Sequence, residues 1–202
     1  HRPDFWPNLC NIIQKIRQAP KDIRGSQITF LPEEHVVDVY NNLPTPDYED
    51  TGFVQRPKLQ RELNEKILGR HPVVSVLGDG GIGKTALALH TAYQLLKNGD
   101  HGYDGIIWVS AKTNKLTQNE IERIEGAITS SLGVFKSVLS EFESVHDNPL
   151  RRVLELLKDN AILLFIDNLE TVLDQRIKEF AEEIPDRSKL VFTSRVPVGV
   201  GT

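Results

Sequence analysis

"VVSVLGDGGIGKTALALH", residues 73–90, changes character twice within eighteen positions. Its first five residues are a short apolar run rich in valine, which reads as a buried β-strand. Between Gly78 and Gly83 only Asp79 and Ile82 carry sizeable side chains. Lys84 and Thr85 then open an apolar stretch that reads as a helix to about Lys97, closed by Gly99. The stretch satisfies G-x-x-x-x-G-K-[ST] with Gly78, Gly83, Lys84 and Thr85 at the fixed positions. Strand before and helix after is the context that a phosphate-binding loop needs. Glycines let backbone N–H groups curl around a phosphate without Cβ clashes, and the helix start adds free donors and a positive dipole end. Average residue frequencies produce the pattern by accident in roughly one such chain per hundred, so a chance glycine turn is the poorer explanation. The cradle is assigned to Gly78, Gly80, Gly81, Ile82, Gly83, Lys84, Thr85 and Ala86. Lys84 reaches for the β- and γ-phosphates and the Thr85 hydroxyl for Mg²⁺.

A phosphate loop of this kind needs a carboxylate for the metal, at the end of a neighbouring buried strand. In "AILLFIDNLE" six apolar residues precede Asp167. An aspartate at the mouth of a buried strand needs a partner, and ligands bind at that edge of open α/β sheets. Mg²⁺ supplies the partner; the competing reading is a helix cap. The next residue is Asn168, which cannot take a proton from an attacking water. Glu170 reads equally as a substitute base or as a solvated loop acid. "KLVFTSR" ends a further strand with Thr193, Ser194 and Arg195. Next to the loop strand, these groups would face the γ-phosphate, and Arg195 could read it through a charge-assisted contact. The alternative is an ordinary surface arginine.

From Pro57 onward helices and apolar strands alternate. Leu59, Leu63 and Ile67 mark a helix ending at Gly69, and "GIIWVSA" (105–111) is a strand. Thr117 and Glu120 form a capping box ahead of Ile121, Ile124, Ile128 and Leu132, predicting a helix that ends at Gly133. Asn148 and Pro149 start another helix with Leu150, Val153, Leu154 and Leu157, and a short one carries Ile177, Phe180 and Ala181. Strands at 161–166 and 189–193 complete the series. The pattern predicts a parallel sheet covered on both faces, a three-layer α/β/α fold. The nucleotide-binding domain is expected over 51–202. Residues 1–50, with an apolar helical pattern near Phe5–Ile16 and prolines at 32, 44 and 46, read as a helix plus a linker. They read otherwise as the end of an N-terminal effector domain.

The chain has 202 residues, 39% of them hydrophobic and 26% charged, with a net charge of −4. That is enough for one sizeable core, and no global positive field advertises nucleic acid or an anionic membrane. The one cysteine excludes an internal disulfide framework and suits a reducing compartment, so a cytoplasmic location is expected. The six histidines have no zinc-site spacing, and the longest apolar run is too short to span a membrane. The chain starts at His1 and contains no methionine, which suggests a fragment of a longer protein.

The stretches "GFVQRPKLQRELNEKIL", "VVSVLGDGGIGKTALA", "YDGIIWVSAK", "LLFIDNLE" and "KLVFTSR" occur in the order and spacing of the STAND NTPases. Over about 52–195 the chain most resembles their NB-ARC and AP-ATPase branch, found in apoptotic protease-activating factors, plant resistance proteins and bacterial regulators. The resemblance implies that Phe53, Val54 and Arg56 match the motif that packs on adenine, with Gln55 in place of its usual glycine. It implies that Arg195 senses the γ-phosphate and that ATP and ADP are the nucleotides. Independently, residues 167–170 lack the D-x-x-G that GTPases carry after the metal strand. The resemblance further implies a switch: ADP locks a closed monomer, while exchange for ATP permits homo-oligomerisation and activates an effector in the same chain. The helical and winged-helix domains that follow in such proteins would lie past Thr202. A slow ATPase switch therefore leads. A turnover enzyme, such as a kinase or DNA-processing ATPase, and a non-hydrolysing binding module are the alternatives.

Overall fold

The computed structural model describes residues 39–46, 54–111, 114–116, 121–123, 130–141 and 148–199. All of them fall in one compact unit, Val37–Thr202. Its described elements, in chain order, are β1 (Tyr40–Asn41), α1 (Pro57–Leu68), β2 (Val73–Leu77), α2 (Lys84–Asn98), β3 (Gly105–Ser110), β4 (Asn114–Leu116) and β5 (Ile121–Arg123). Then follow α3 (Ser131–Ser140), α4 (Pro149–Asp159), β6 (Ile162–Asp167), a 3₁₀ turn (Leu169–Thr171), α5 (Gln175–Glu182) and β7 (Lys189–Ser194).

Five strands form one sheet in the order β1-β3-β6-β7-β2, every neighbouring pair parallel. Alternation along the strands sorts the core into two layers. Ile107, Val109, Ile162, Leu164, Ile166, Leu190 and Phe192 face one side, where α3, α4 and α5 contribute Phe135, Val138, Val153, Leu157, Ile177 and Phe180. Ile106, Trp108, Leu163, Phe165, Val191 and Val74 face the other, against Leu63 and Ile67 of α1 and Leu87, Ala88, Leu89, Ala92 and Leu95 of α2. Continuously apolar strands are therefore apolar because both faces are covered. The three-layer α/β/α architecture expected from the sequence is what forms.

The strand order corrects one expectation. The strand bearing Asp167 does not neighbour the loop strand; β7 lies between them, and among the described residues β2 has β7 as its sheet partner. The helix expected from Thr117 to Gly133 is also corrected. Asn114–Leu116 and Ile121–Arg123 pair as an antiparallel ribbon, and the helix starts at Ser131 instead. The physical reason lies at Ser130, an extended residue whose side chain accepts the Gly133 N–H at 3.3 Å. Gly133 thus sits in the first turn of α3, supplying a capped donor, and does not terminate a helix. Thr117, Glu120, Ile124 and Ile128 lie outside the described residues, as does the helical pattern near Phe5–Ile16.

Two other elements match their signals closely. The Asn148 side chain caps α4 by accepting the Arg151 N–H, with Pro149 in its first turn. Gly99 closes α2 in the left-handed conformation at φ 70°. Inside the stretch read as linker, Tyr40 and Asn41 pair with Gly105 and Ile106 of β3, on the side away from β6. Asn42 extends this pairing with its side chain, accepting the Trp108 N–H at 2.6 Å and donating to the Trp108 carbonyl at 3.1 Å.

Candidate nucleotide-binding site

The ends of β2, β6 and β7 converge at the carboxyl edge of the sheet. Gly78 N–H donates to the Ser194 carbonyl at 3.3 Å, carrying the β2–β7 ladder to the start of the glycine loop. Gly78, Gly81 and Gly83 hold φ of 152°, 79° and 90°, a region that L side chains rarely adopt. At Gly78 a Cβ would also collide with the Ile82 side chain. The loop is thus a backbone surface by steric necessity. It leads through Gly83 into α2, whose first turn, Lys84–Ala86, has no side-chain cap. Lys84 Nζ donates back to the carbonyls of Gly78 and Asp79 at 2.8 and 2.9 Å. The lysine therefore spans the loop with its ammonium gathered against it.

Asp167 is the last residue of β6 and is only 3% exposed. A buried carboxylate demands donors, and two hydroxyls supply them to the same oxygen. Thr85 Oγ1 donates to Asp167 Oδ1 at 2.7 Å, and Thr193 Oγ1 donates to it at 2.6 Å. Thr193 in turn accepts the Asn168 N–H at 2.9 Å. Asp167 thus joins the first turn of α2 and the end of the intervening β7 through one carboxylate oxygen. Asn168 itself is the one described non-glycine residue at positive φ, 64°. Asparagine tolerates that left-handed conformation better than most residues.

Hard oxygen donors, a hydroxyl and one carboxylate, suit Mg²⁺, which takes one or two carboxylates and completes its octahedron with phosphate oxygens and water. Among the described residues no group of three or more His, Cys, Asp or Glu could hold a metal by itself. Thr85 and Asp167 therefore fit Mg²⁺ as part of a nucleotide complex.

Arg195 directly follows β7. Its Nε lies 3.2 Å from Glu170 Oε1, and its backbone N–H donates to Glu170 Oε2 at 3.3 Å. A Cβ on Gly80 would lie 3.4 Å from the Arg195 guanidinium carbon, so this cation rests against the glycine loop. Both oxygens of Glu170 thus face Arg195, a pairing for which the sequence carries no signal. Arg56, which precedes α1, brings a guanidinium nitrogen within 3.7 Å of a Cβ placed on Gly83. Val54 is 73% exposed, and Phe53 lies outside the described residues. Ser194 does not join the site, because its hydroxyl bonds the Val196 carbonyl and N–H. Thr193 was legible only as a polar strand end; its bonds to Asp167 and Asn168 emerge from the strand order.

A left-handed glycine loop after a β-strand, a lysine spanning it and a threonine joined to a buried aspartate define a P-loop NTPase. The NB-ARC domain model matches residues 56–198, and the chain belongs to that family. It is 23% identical over 202 residues to the transcription activator GutR of Bacillus subtilis (strain 168), covering 94% of this chain and 22% of that protein. It is 27% identical over 126 residues to a putative disease resistance protein of Arabidopsis thaliana, covering 60% of this chain and 31% of the relative. The chain therefore spans less than a third of the length of either. Among solved structures, C. elegans PCH-2 matches at a TM-score of 0.36 and 18% identity, over 68% of this chain and 33% of that one. No helix among the described residues is long and apolar enough to cross a membrane.

Proposed function

We propose that this chain is the nucleotide-binding core of a signalling switch that binds ATP and ADP and hydrolyses ATP slowly. The observation that carries the reading is the Thr85–Asp167–Thr193 contact chain, which ties the helix after the loop to a buried aspartate two strands away. Lys84 and the loop glycines bind the phosphates, while Thr85 and Asp167 hold Mg²⁺. When bound there, Mg²⁺ neutralises charge on the β- and γ-phosphates. Arg195 meets the γ-phosphate, and Phe53, Val54 and Arg56 form the adenine side. Asn168 orients a water without accepting its proton, which keeps hydrolysis slow, since a positioned base typically contributes about 10²–10⁴-fold.

In the longer protein, exchange of ADP for ATP would control homo-oligomerisation and the output of an attached effector, under the command of a sensor. The two relatives, named for transcription activation and disease resistance, support regulation or defence as the setting. A cytoplasmic location fits the cysteine usage. Asn168 favours one second reading, a binding scaffold that does not hydrolyse.

Calorimetry with ATP, ADP and GTP in the presence of Mg²⁺, on the parent and Lys84→Ala, tests the proposal. ATP and ADP bind the parent, GTP binds far more weakly, and Lys84→Ala loses tight binding. Affinities unchanged by the substitution would sink the phosphate-loop role. Steady-state turnover above about 1 s⁻¹, typical of enzymes, would point to a turnover enzyme instead.

A further inference from the structure

Glu170 holds Arg195, the cation that rests against Gly80 of the loop. It lies in the 3₁₀ turn Leu169–Thr171, which is held on both sides. Leu169 is fully buried, and Thr171 Oγ1 donates to the Ala111 carbonyl at 2.6 Å. Backbone bonds from Thr171 to Asn168 and from Val172 to Leu169 close the turn. The Glu170 side chain is 15% exposed, whereas that of Arg195 is 59% exposed. The carboxylate is the fixed member of the pair and the guanidinium the adaptable one. Arg195 also rests against the glycine loop, its guanidinium carbon 3.4 Å from a Cβ placed on Gly80.

We infer that Glu170 is a specificity-determining residue: by holding the Arg195 guanidinium it restrains the γ-phosphate contact and so sets the preference between ATP and ADP. The inference rests on the nucleotide reading above. Its physical basis is charge. A carboxylate 3.2 Å from Arg195 Nε cancels much of the field this arginine would present to an incoming phosphate. A γ-phosphate must either share Arg195 with a nearby negative group or take it away. Both routes weaken ATP and leave ADP, which has no γ-phosphate, largely untouched. Glu170 thereby biases the site toward ADP, the state a resting switch needs. This occupation of both carboxylate oxygens by Arg195 also argues against Glu170 as the hydrolytic base.

The test measures Mg²⁺-dependent affinity for ADP and for a non-hydrolysable ATP analogue on the 202-residue chain, by calorimetry. The variants are Glu170→Gln, Glu170→Ala, Arg195→Ala and the double Glu170→Gln/Arg195→Ala. Both Glu170 variants should strengthen the ATP analogue roughly tenfold, the worth of one charge-assisted contact, with ADP affinity unchanged. Arg195→Ala should weaken the analogue, and adding Glu170→Gln to it should change nothing further. A merely structural glutamate would move both nucleotides together. An ATP-to-ADP ratio unmoved or lowered by the Glu170 variants overturns the inference, and so does a gain that persists without Arg195. Loss of single-turnover cleavage in Glu170→Gln at unchanged affinity makes it a base and also overturns it. A parent that binds neither nucleotide overturns the underlying nucleotide reading instead.

Discussion

Replacing Thr193 by valine probes the joint that the strand order creates. The two side chains have nearly the same shape, and Thr193 is 2% exposed, so the change deletes a hydroxyl without opening a cavity. Two bonds go with it. Asp167 loses a donor at 2.6 Å, although Thr85 still holds the same oxygen, and the Asn168 N–H loses its acceptor. A lost charge-assisted hydrogen bond is worth about 1.5–3 kcal/mol, and an orphaned donor costs about 1–3 kcal/mol. The valine methyl recovers part of this, because the threonine hydroxyl no longer has to be desolvated. The net destabilisation is about 2 kcal/mol, or a fall in Tm of about 4–8 °C for a domain of this size. Thr193→Ser keeps the hydroxyl and should lose less. Thermal and urea denaturation of the three proteins in the absence of nucleotide reads the stability. Because Asp167 also loses a positioning contact, the Mg²⁺ concentration needed for half-maximal ATP binding should rise in Thr193→Val. Equal stability of Thr193→Val and the parent, with an unchanged Mg²⁺ requirement, would refute the idea that Thr193 carries this joint.

Three further outcomes follow from particular side chains. Asn168→Asp should fold normally, since aspartate also tolerates the left-handed backbone, and should speed single-turnover ATP cleavage, while Asp167→Asn abolishes cleavage by weakening the metal site; a quench-flow time course with saturating Mg²⁺ reads both. Burial pushes the Tyr103 phenol up to about 12, and its hydroxyl donates to the Ile67 carbonyl at 2.9 Å. An acid with a raised folded pKa stabilises most below its unfolded value, so this contribution is present below pH 10 and is lost as the pH climbs toward 12. Discounted for the partly exposed ring, the loss is roughly 1 kcal/mol, and Tyr103→Phe should remove that decline from a urea-denaturation series across those pH values.

Much of the site was legible because its determinants are local. A glycine needed at positive φ, as at Gly81 and Gly83, leaves its mark at that very position. Lys84 and Thr85 are placed by a helix that starts where they stand, and Asp167 announces itself as the polar end of a fully buried strand. Caps at Asn148 and Gly99 were readable for the same reason, since each acts within four residues of itself. The failures came where a local signal competed with distant contacts. Ile121 fits a helical period, but Ile121–Arg123 pairs with Asn114–Leu116, and Ser130 outranks the Thr117 cap as a helix start.

The sequence by itself determined the chemical parts: a phosphate loop, a hydroxyl and a carboxylate for a hard cation, and a strand-ending arginine. It also determined the layers, because strands apolar on both faces can be satisfied only by helices on both sides. The tertiary structure decided which parts touch. It set β7 between the loop strand and the aspartate strand, which lets Thr193 bond Asp167 while Thr85 reaches the same oxygen from 82 residues away. It likewise joined Glu170 to Arg195 across 25 residues. Strand order is fixed by crossover connections and by the packing of whole helices on the sheet. No single residue records it, so the partners of Asp167 and Arg195 exist only once the sheet has assembled.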